Sequence, residues 1–187
     1  MKVGIFGGSF NPVHNRHLDL ANRAVKEKLV DEVWIMPCKK HSFDKALESE
    51  AHRIQMIKLA TMRMPKIKFC DYEMQQTGKN YTLHTLQELK KIYSNDFYLI
   101  IGSDILAELT KWYEYPQLAK EAKFLVFKRD GYKIVNPGIN IIATIDMGAE
   151  NISSTEIRER VKEGKFISQL VPSAVEEYIT KNRIYQK

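Results

Sequence analysis

The stretch Lys2-Val-Gly-Ile-Phe-Gly-Gly-Ser-Phe-Asn-Pro-Val-His-Asn-Arg-His-Leu18 decides how the rest of the chain reads. Val3 to Phe6 is short, apolar and β-prone, which predicts a buried strand starting almost at the N-terminus. Gly7-Gly8-Ser9 then offers a turn in which the backbone can take positive φ and approach a ligand closely. Asn11-Pro12 adds a rigid bend, and His14 to Leu29 carries apolar residues at helical spacing. Strand, glycine turn and helix start together form a phosphate cradle, because free N–H groups and the positive end of the helix dipole face the same anion. His14 and His17 stand three apart, a spacing that would put both imidazoles on one helical face beside that cradle. There they can donate to phosphate oxygens and take up charge as negative charge develops.

Neither GxGxxG nor GxxxxGK[ST] is present, so a dinucleotide-dependent oxidoreductase and a P-loop enzyme are both disfavoured. What stands there is G-G-S-F-N-P-x-H-x-x-H. It resembles the GxFxPxHxGH signature of the adenylyl- and cytidylyltransferase superfamily, with Phe10, Pro12, His14 and His17 at the matching positions. Arg16 departs from it, standing where the family usually has a glycine that lets the adenine lie close to the helix.

At 187 residues, 44% hydrophobic and 28% charged, the chain fits one soluble domain spanning 1–187. No apolar run approaches the ~20 residues of a membrane span, so no membrane partner is expected. The N-terminus enters a strand directly, with no signal peptide to discount, and two cysteines make no disulfide framework. The cytoplasm is the expected compartment. A net charge of +6, spread along the chain, suits anionic substrates. There is no dense basic run, so a nucleic-acid-binding module is the minor, non-enzymatic alternative. The sequence leaves a homo-oligomer open.

Further apolar runs, Glu32 to Met36, Ile67 to Cys70, Phe97 to Ile101, Phe124 to Phe127 and Ile139 to Ile145, alternate with helical patterns. That alternation predicts an α/β, Rossmann-like, doubly wound and mostly parallel sheet, with ligands outside the carboxyl ends of the strands. Helices are expected over Ser49 to Met64, Tyr81 to Tyr93, Ile105 to Leu109, Ser153 to Lys162 and Ser173 to Lys181. Asp71 to Asn80 reads as polar loop and Tyr115-Pro116 as an interruption.

Ile152-Ser-Ser-Thr-Glu-Ile-Arg158 is the second strong signal. Ser153 and Glu156 have capping-box spacing, and Arg158 lies one turn into the helix. The segment resembles the superfamily's SSTxIR motif, which grips the ATP triphosphate. Tyr81-Thr82-Leu83-His84-Thr85 resembles the SYTxxTL segment of the nicotinate-nucleotide adenylyltransferase branch, with Asn80 replacing the usual serine. Gly102-Ser-Asp104 resembles that branch's GxD, and Trp112 its pyridine-stacking tryptophan. An indole suits a cationic pyridinium.

The resemblance implies transfer of the adenylyl group of ATP to nicotinate mononucleotide, with His17, His14 and Arg158 catalytic. It implies Gly8, Ser9, Phe10, Ser153, Ser154, Thr155 and Arg158 toward ATP, and Asn11, Lys40, Tyr81, Thr82, Thr85, Asp104 and Trp112 toward the mononucleotide. Mg2+ is expected to arrive with ATP and to have no protein site of its own. Nicotinamide mononucleotide and phosphopantetheine are the alternative acceptors. Where the family has Pro-His-Lys this chain reads Pro37-Cys-Lys-Lys-His41, so Lys39 and Lys40 are the phosphate candidates. Cys38 and His41 with His14 and His17 also have zinc-type spacing, a reading in competition with phosphate binding.

Overall fold

A computed structural model describes residues 1–39, 47–148 and 152–186. Among them six strands form one sheet: β1 (Lys2–Gly8), β2 (Glu32–Pro37), β3 (Ile67–Phe69), β4 (Asp96–Gly102), β5 (Lys123–Lys128) and β6 (Asn140–Asp146). The order is β3-β2-β1-β4-β5-β6 and every pairing is parallel. Strand order therefore reverses between β1 and β4, and the crevice beyond their carboxyl ends is where such a sheet receives ligands.

Among the described residues six α-helices lie between strands, α1 (Asn15–Lys26), α2 (Glu50–Thr61), α3 (Tyr72–Gln75), α4 (Thr82–Ile92), α5 (Ser103–Leu106) and α6 (Tyr115–Glu121), and two follow β6, α7 (Ser154–Lys162) and α8 (Ser173–Lys181). Strand side chains alternate between two cores, as the pleat requires. Phe6, Val33, Ile35, Tyr98, Ile100 and Leu125 pack under α1, α2, α7 and α8. Val3, Ile5, Met36, Leu99, Ile101 and Val126 pack under α4, α5 and α6. Being covered on both faces, β4 and β5 read as unbroken apolar runs.

Four expectations are corrected. Gly7 and Gly8 lie inside β1, paired with Met36 and Pro37, and the left-handed residue is Phe10 at φ 45. That conformation costs a non-glycine residue roughly 1–3 kcal/mol. Burial of the Phe10 ring against Phe6 and His17 offsets it by about 2 kcal/mol. The segment 71–80 holds the single turn α3, which buries Met74. Tyr115-Pro116 opens α6 rather than interrupting, since a missing N–H does no harm in a first turn. The helix expected over Ile105 to Leu109 is instead α5 and a 3-10 turn, Leu109–Lys111.

Candidate active site

His14 is the N-cap of α1, with extended φ and ψ, and not a residue of its first turn. His17 is the third helical residue. The two rings therefore meet by stacking, with centroids 3.5 Å apart and planes 19° apart. The His14 backbone N–H donates to His17 Nδ1 at 3.3 Å. With Nδ1 accepting, a neutral His17 carries its proton on Nε2, so the far nitrogen is a donor. Phe6 and Phe10 meet the same ring edge-on, at 5.7 and 5.0 Å.

This setting keeps both imidazoles neutral. Burial pushes His14 down to about 3, helped by the charges of Arg129 and Arg16. Burial also holds His17 well below the ordinary range, helped by His14 and Arg129. The pair thus meets an anion as polarised N–H donors, and charge arrives only when phosphate compensates it. Because the folded pKa values lie below the unfolded ones, the stabilisation is complete above about pH 6.5 and is lost as pH falls. His14 alone should remove up to about 1.4 kcal/mol per pH unit below that point. Urea unfolding at pH 7 and pH 5 checks it: stability should drop by about 2 kcal/mol from His14 alone, with His17 adding a loss in the same direction. Equal stabilities would mean the pair is already solvated.

The two signature segments are joined directly. Ser154 Oγ donates to the Pro12 carbonyl at 2.9 Å. Arg158 Nη1 donates to the Asn11 carbonyl at 2.8 Å, while its Nη2 donates to Thr155 Oγ1 at 3.1 Å. Ser153 caps α7 by accepting the Glu156 N–H. The expected capping box is only half formed, since the Glu156 carboxylate instead pairs with Arg160. Asn11 is a hub: its Oδ1 accepts from the Tyr185 hydroxyl at 2.7 Å and from the Glu48 N–H at 3.3 Å. Burial raises the Tyr185 phenol, so it stays a donor.

Across the crevice, Asp104 is the second residue of α5, whose N-cap is Gly102. Its Oδ2 pairs with Arg129 at 3.2 Å. A Cβ on Gly102 would collide with the other oxygen, Oδ1, so only glycine leaves that carboxylate room. Asp104 Oδ1 and His14 Nδ1 are buried and without a hydrogen-bond partner among the described residues. Such orphans are rare and call for a ligand or a catalytic role. They flank the point where strand order reverses.

Of the residues expected to face the pyridine, Tyr81, Thr82 and Thr85 lie at the start of α4. Tyr81, its N-cap, stacks on Tyr113 at 4.3 Å, and His84 closes edge-on against both. Trp112 follows the 3-10 turn and is partly buried beside the second core. The Thr85 hydroxyl donates to Glu73, and Asn80 donates to the Glu73 carbonyl. Glu73 therefore positions the entry to α4, and burial raises its carboxyl above the usual range.

Lys40 and His41 lie outside the described residues, and with His41 one of the four ligands of the zinc reading. Lys39 Nζ donates to the Gln76 carbonyl. Arg16, at the departure from the family pattern, donates to the Gly148 carbonyl at 2.8 Å, bridging α1 to the end of β6. Sequence reasoning missed Arg129, Glu73, Tyr185 and Arg53. The fully buried Arg53 carried a readable signal: with Met56, Ile57 and Ala60 it occupies an i, i+3, i+4, i+7 stripe, an anomalous place for a cation.

Comparison with known proteins follows the same lines. The family model described as cytidylyltransferase-like matches residues 5–160. The nicotinate-nucleotide adenylyltransferase of Bacillus subtilis is 37% identical over 188 residues, covering 99% of this chain and 98% of that one. The fold matches that of Plasmodium falciparum nicotinic acid mononucleotide adenylyltransferase complexed with NaAD. There the TM-score is 0.84 at 24% identity, covering 98% of this chain and 97% of that one. The same enzyme complexed with APC gives a TM-score of 0.81 at 22% identity, covering 98% and 96%.

Proposed function

The chain belongs to the cytidylyltransferase-like family, and from that membership we infer a nicotinate-nucleotide adenylyltransferase that moves AMP from ATP to nicotinate mononucleotide and releases pyrophosphate. The product, nicotinate adenine dinucleotide, places the enzyme in NAD biosynthesis. The observation that supports the reading in this chain's own geometry is the joining of the two signature segments, Ser154 to Pro12 and Arg158 to Asn11, around a neutral histidine pair.

In this reading an oxygen of the mononucleotide phosphate attacks the α-phosphorus, a new P–O bond forms, and the α–β bridging bond breaks. No group on the protein becomes covalently attached. The protein aligns the reactants and neutralises developing charge. His17 Nε2–H donates to an α-phosphoryl oxygen and His14 serves its neighbour. Arg158 faces the departing pyrophosphate, with Ser153, Ser154 and Thr155 at the α7 N-terminus receiving the triphosphate. Gly8, Ser9 and Phe10 contribute backbone, while the buried Phe10 ring supports His17. Asn11, Thr82, Asp104 and Trp112 address the mononucleotide, Tyr81 walls the pyridine pocket, and Thr85 acts through Glu73. Lys40 keeps the phosphate role that the sequence suggests.

The site's donors are arginines and neutral imidazoles, which suit phosphate oxygens better than a cation. Magnesium fits this set only as a passenger on the triphosphate, where it would neutralise the β and γ oxygens. Among the described residues no helix is long and apolar enough to cross a membrane. The free thiols of Cys38 and Cys70 support a reducing compartment, the cytoplasm.

The acid should be preferred over the amide. The first turn of α4 has no side-chain cap and no acidic residue, so its N–H groups and dipole suit a carboxylate. A carboxamide gains less there and turns its own NH₂ toward donors. The expected preference is about 10-fold in kcat/KM, near 1.4 kcal/mol. The test measures both mononucleotides at identical ATP and magnesium. Equal values, or preference for the amide, would sink the acid-specific reading and leave adenylyl transfer standing.

A further inference from the structure

Among the described residues Arg53 is the largest fully buried side chain, and it has no carboxylate partner there. Taking a lone cation out of water costs several kcal/mol unless its donors are satisfied. Here they are satisfied by main-chain carbonyls from two separate places. Nη1 donates to Ser9 at 2.8 Å, in the cradle after β1. The same nitrogen donates to Cys38 at 2.9 Å, just past the end of β2. Nε donates to Glu48 at 3.2 Å, where the chain returns to α2, and Nη2 reaches Lys39 at 3.5 Å.

Cys38, Lys39 and Glu48 are the two feet of the loop that follows β2, and Ser9 belongs to the cradle. One planar guanidinium therefore ties Cys38, Lys39 and Glu48 to Ser9 of the phosphate cradle. Glu48 is tied a second time, through its N–H, to Asn11 of the cradle. A fork with five donors in fixed directions can serve carbonyls from both segments at once, and an ammonium cannot.

We propose that Arg53 is a positioning residue for the transfer reaction, holding Ser9 of the cradle in register with Cys38, Lys39 and Glu48 so that acceptor and donor phosphates meet at one distance. This rests on the adenylyl-transfer reading. Misalignment of reacting groups by an ångström is enough to lose one to two orders of magnitude in rate. The signature of lost register is a fall in kcat with both substrates saturating, not a rise in one KM alone.

The test compares wild type, Arg53→Lys and Ile67→Ala with ATP, magnesium and nicotinate mononucleotide. Ile67 is buried in β3, away from the carboxyl ends, and supplies a destabilised control. Arg53→Lys should fold, lose some thermal stability and show kcat lowered about 10-fold or more. Ile67→Ala should lose stability while keeping kcat. A folded Arg53→Lys protein with kcat within twofold of wild type overturns the proposal. A second arm uses Arg53→Ala, where millimolar guanidinium should restore several-fold of the lost kcat by refilling the fork's place. A folded alanine variant whose kcat guanidinium leaves unchanged also counts against it. Failure of wild type itself to turn over would refute the activity and not the clasp.

Discussion

Replacing His17 with alanine should leave the fold intact and lower turnover by at least ~100-fold, with a much smaller change in KM for either substrate. The reason is geometric. His17 Nδ1 is already engaged by the His14 N–H, so the neutral ring presents one oriented donor, Nε2–H, at the cradle. Loss of a single oriented transition-state donor typically costs a factor of ~100–1000. The ring makes edge contacts with Phe6 and Phe10, so some stability is lost as well. A His17→Asn variant separates the two effects, because it keeps a polar donor while removing the ring. Steady-state kinetics of both variants, with circular dichroism as the check on folding, decide the matter. Near-normal turnover in a folded alanine variant would remove His17 from the mechanism.

Arg158→Lys should be nearly as damaging, lowering kcat/KM for ATP by about 100-fold. Its guanidinium joins Asn11 and Thr155 through two different nitrogens, so it braces α7 against the cradle, and in the proposed reading it also meets the triphosphate. Lysine keeps the charge and loses the fork, and charge-assisted hydrogen bonds are worth about 1.5–3 kcal/mol each. The loss should appear in ATP kinetics first, with the mononucleotide KM changing less. Unchanged ATP kinetics in Arg158→Lys would reduce the residue to a helix brace.

Much of this was legible in the sequence, for physical reasons that differ by element. β4 and β5 are covered on both faces, so Phe97 to Ile101 and Phe124 to Phe127 could hardly read as anything but buried strands. α3 was not legible, because a four-residue turn carries no periodicity and buries only Met74. Pro116 misled because the same residue that breaks a helix interior is welcome in a first turn. The histidine spacing implied a relation that the structure does not have. An i, i+3 rule assumes both residues are helical, whereas His14 is the cap and meets His17 by stacking. Asp104 was singled out by its motif, but its partner Arg129 comes from the next strand end, which no local pattern links to it. Tyr185 escaped for the same reason: its bond runs to the Asn11 side chain of the cradle across 174 residues.

The central claim is direct transfer of the adenylyl group from ATP to the bound mononucleotide, and ATP labelled at the α-phosphorus tests it most directly. With magnesium and nicotinate mononucleotide, all transferred label should appear in the dinucleotide. Unlabelled pyrophosphate should appear in equal amount, and no label should remain on the acid-precipitated protein. Label recovered as free AMP, or bound to the protein as an adenylylated intermediate, would contradict the account.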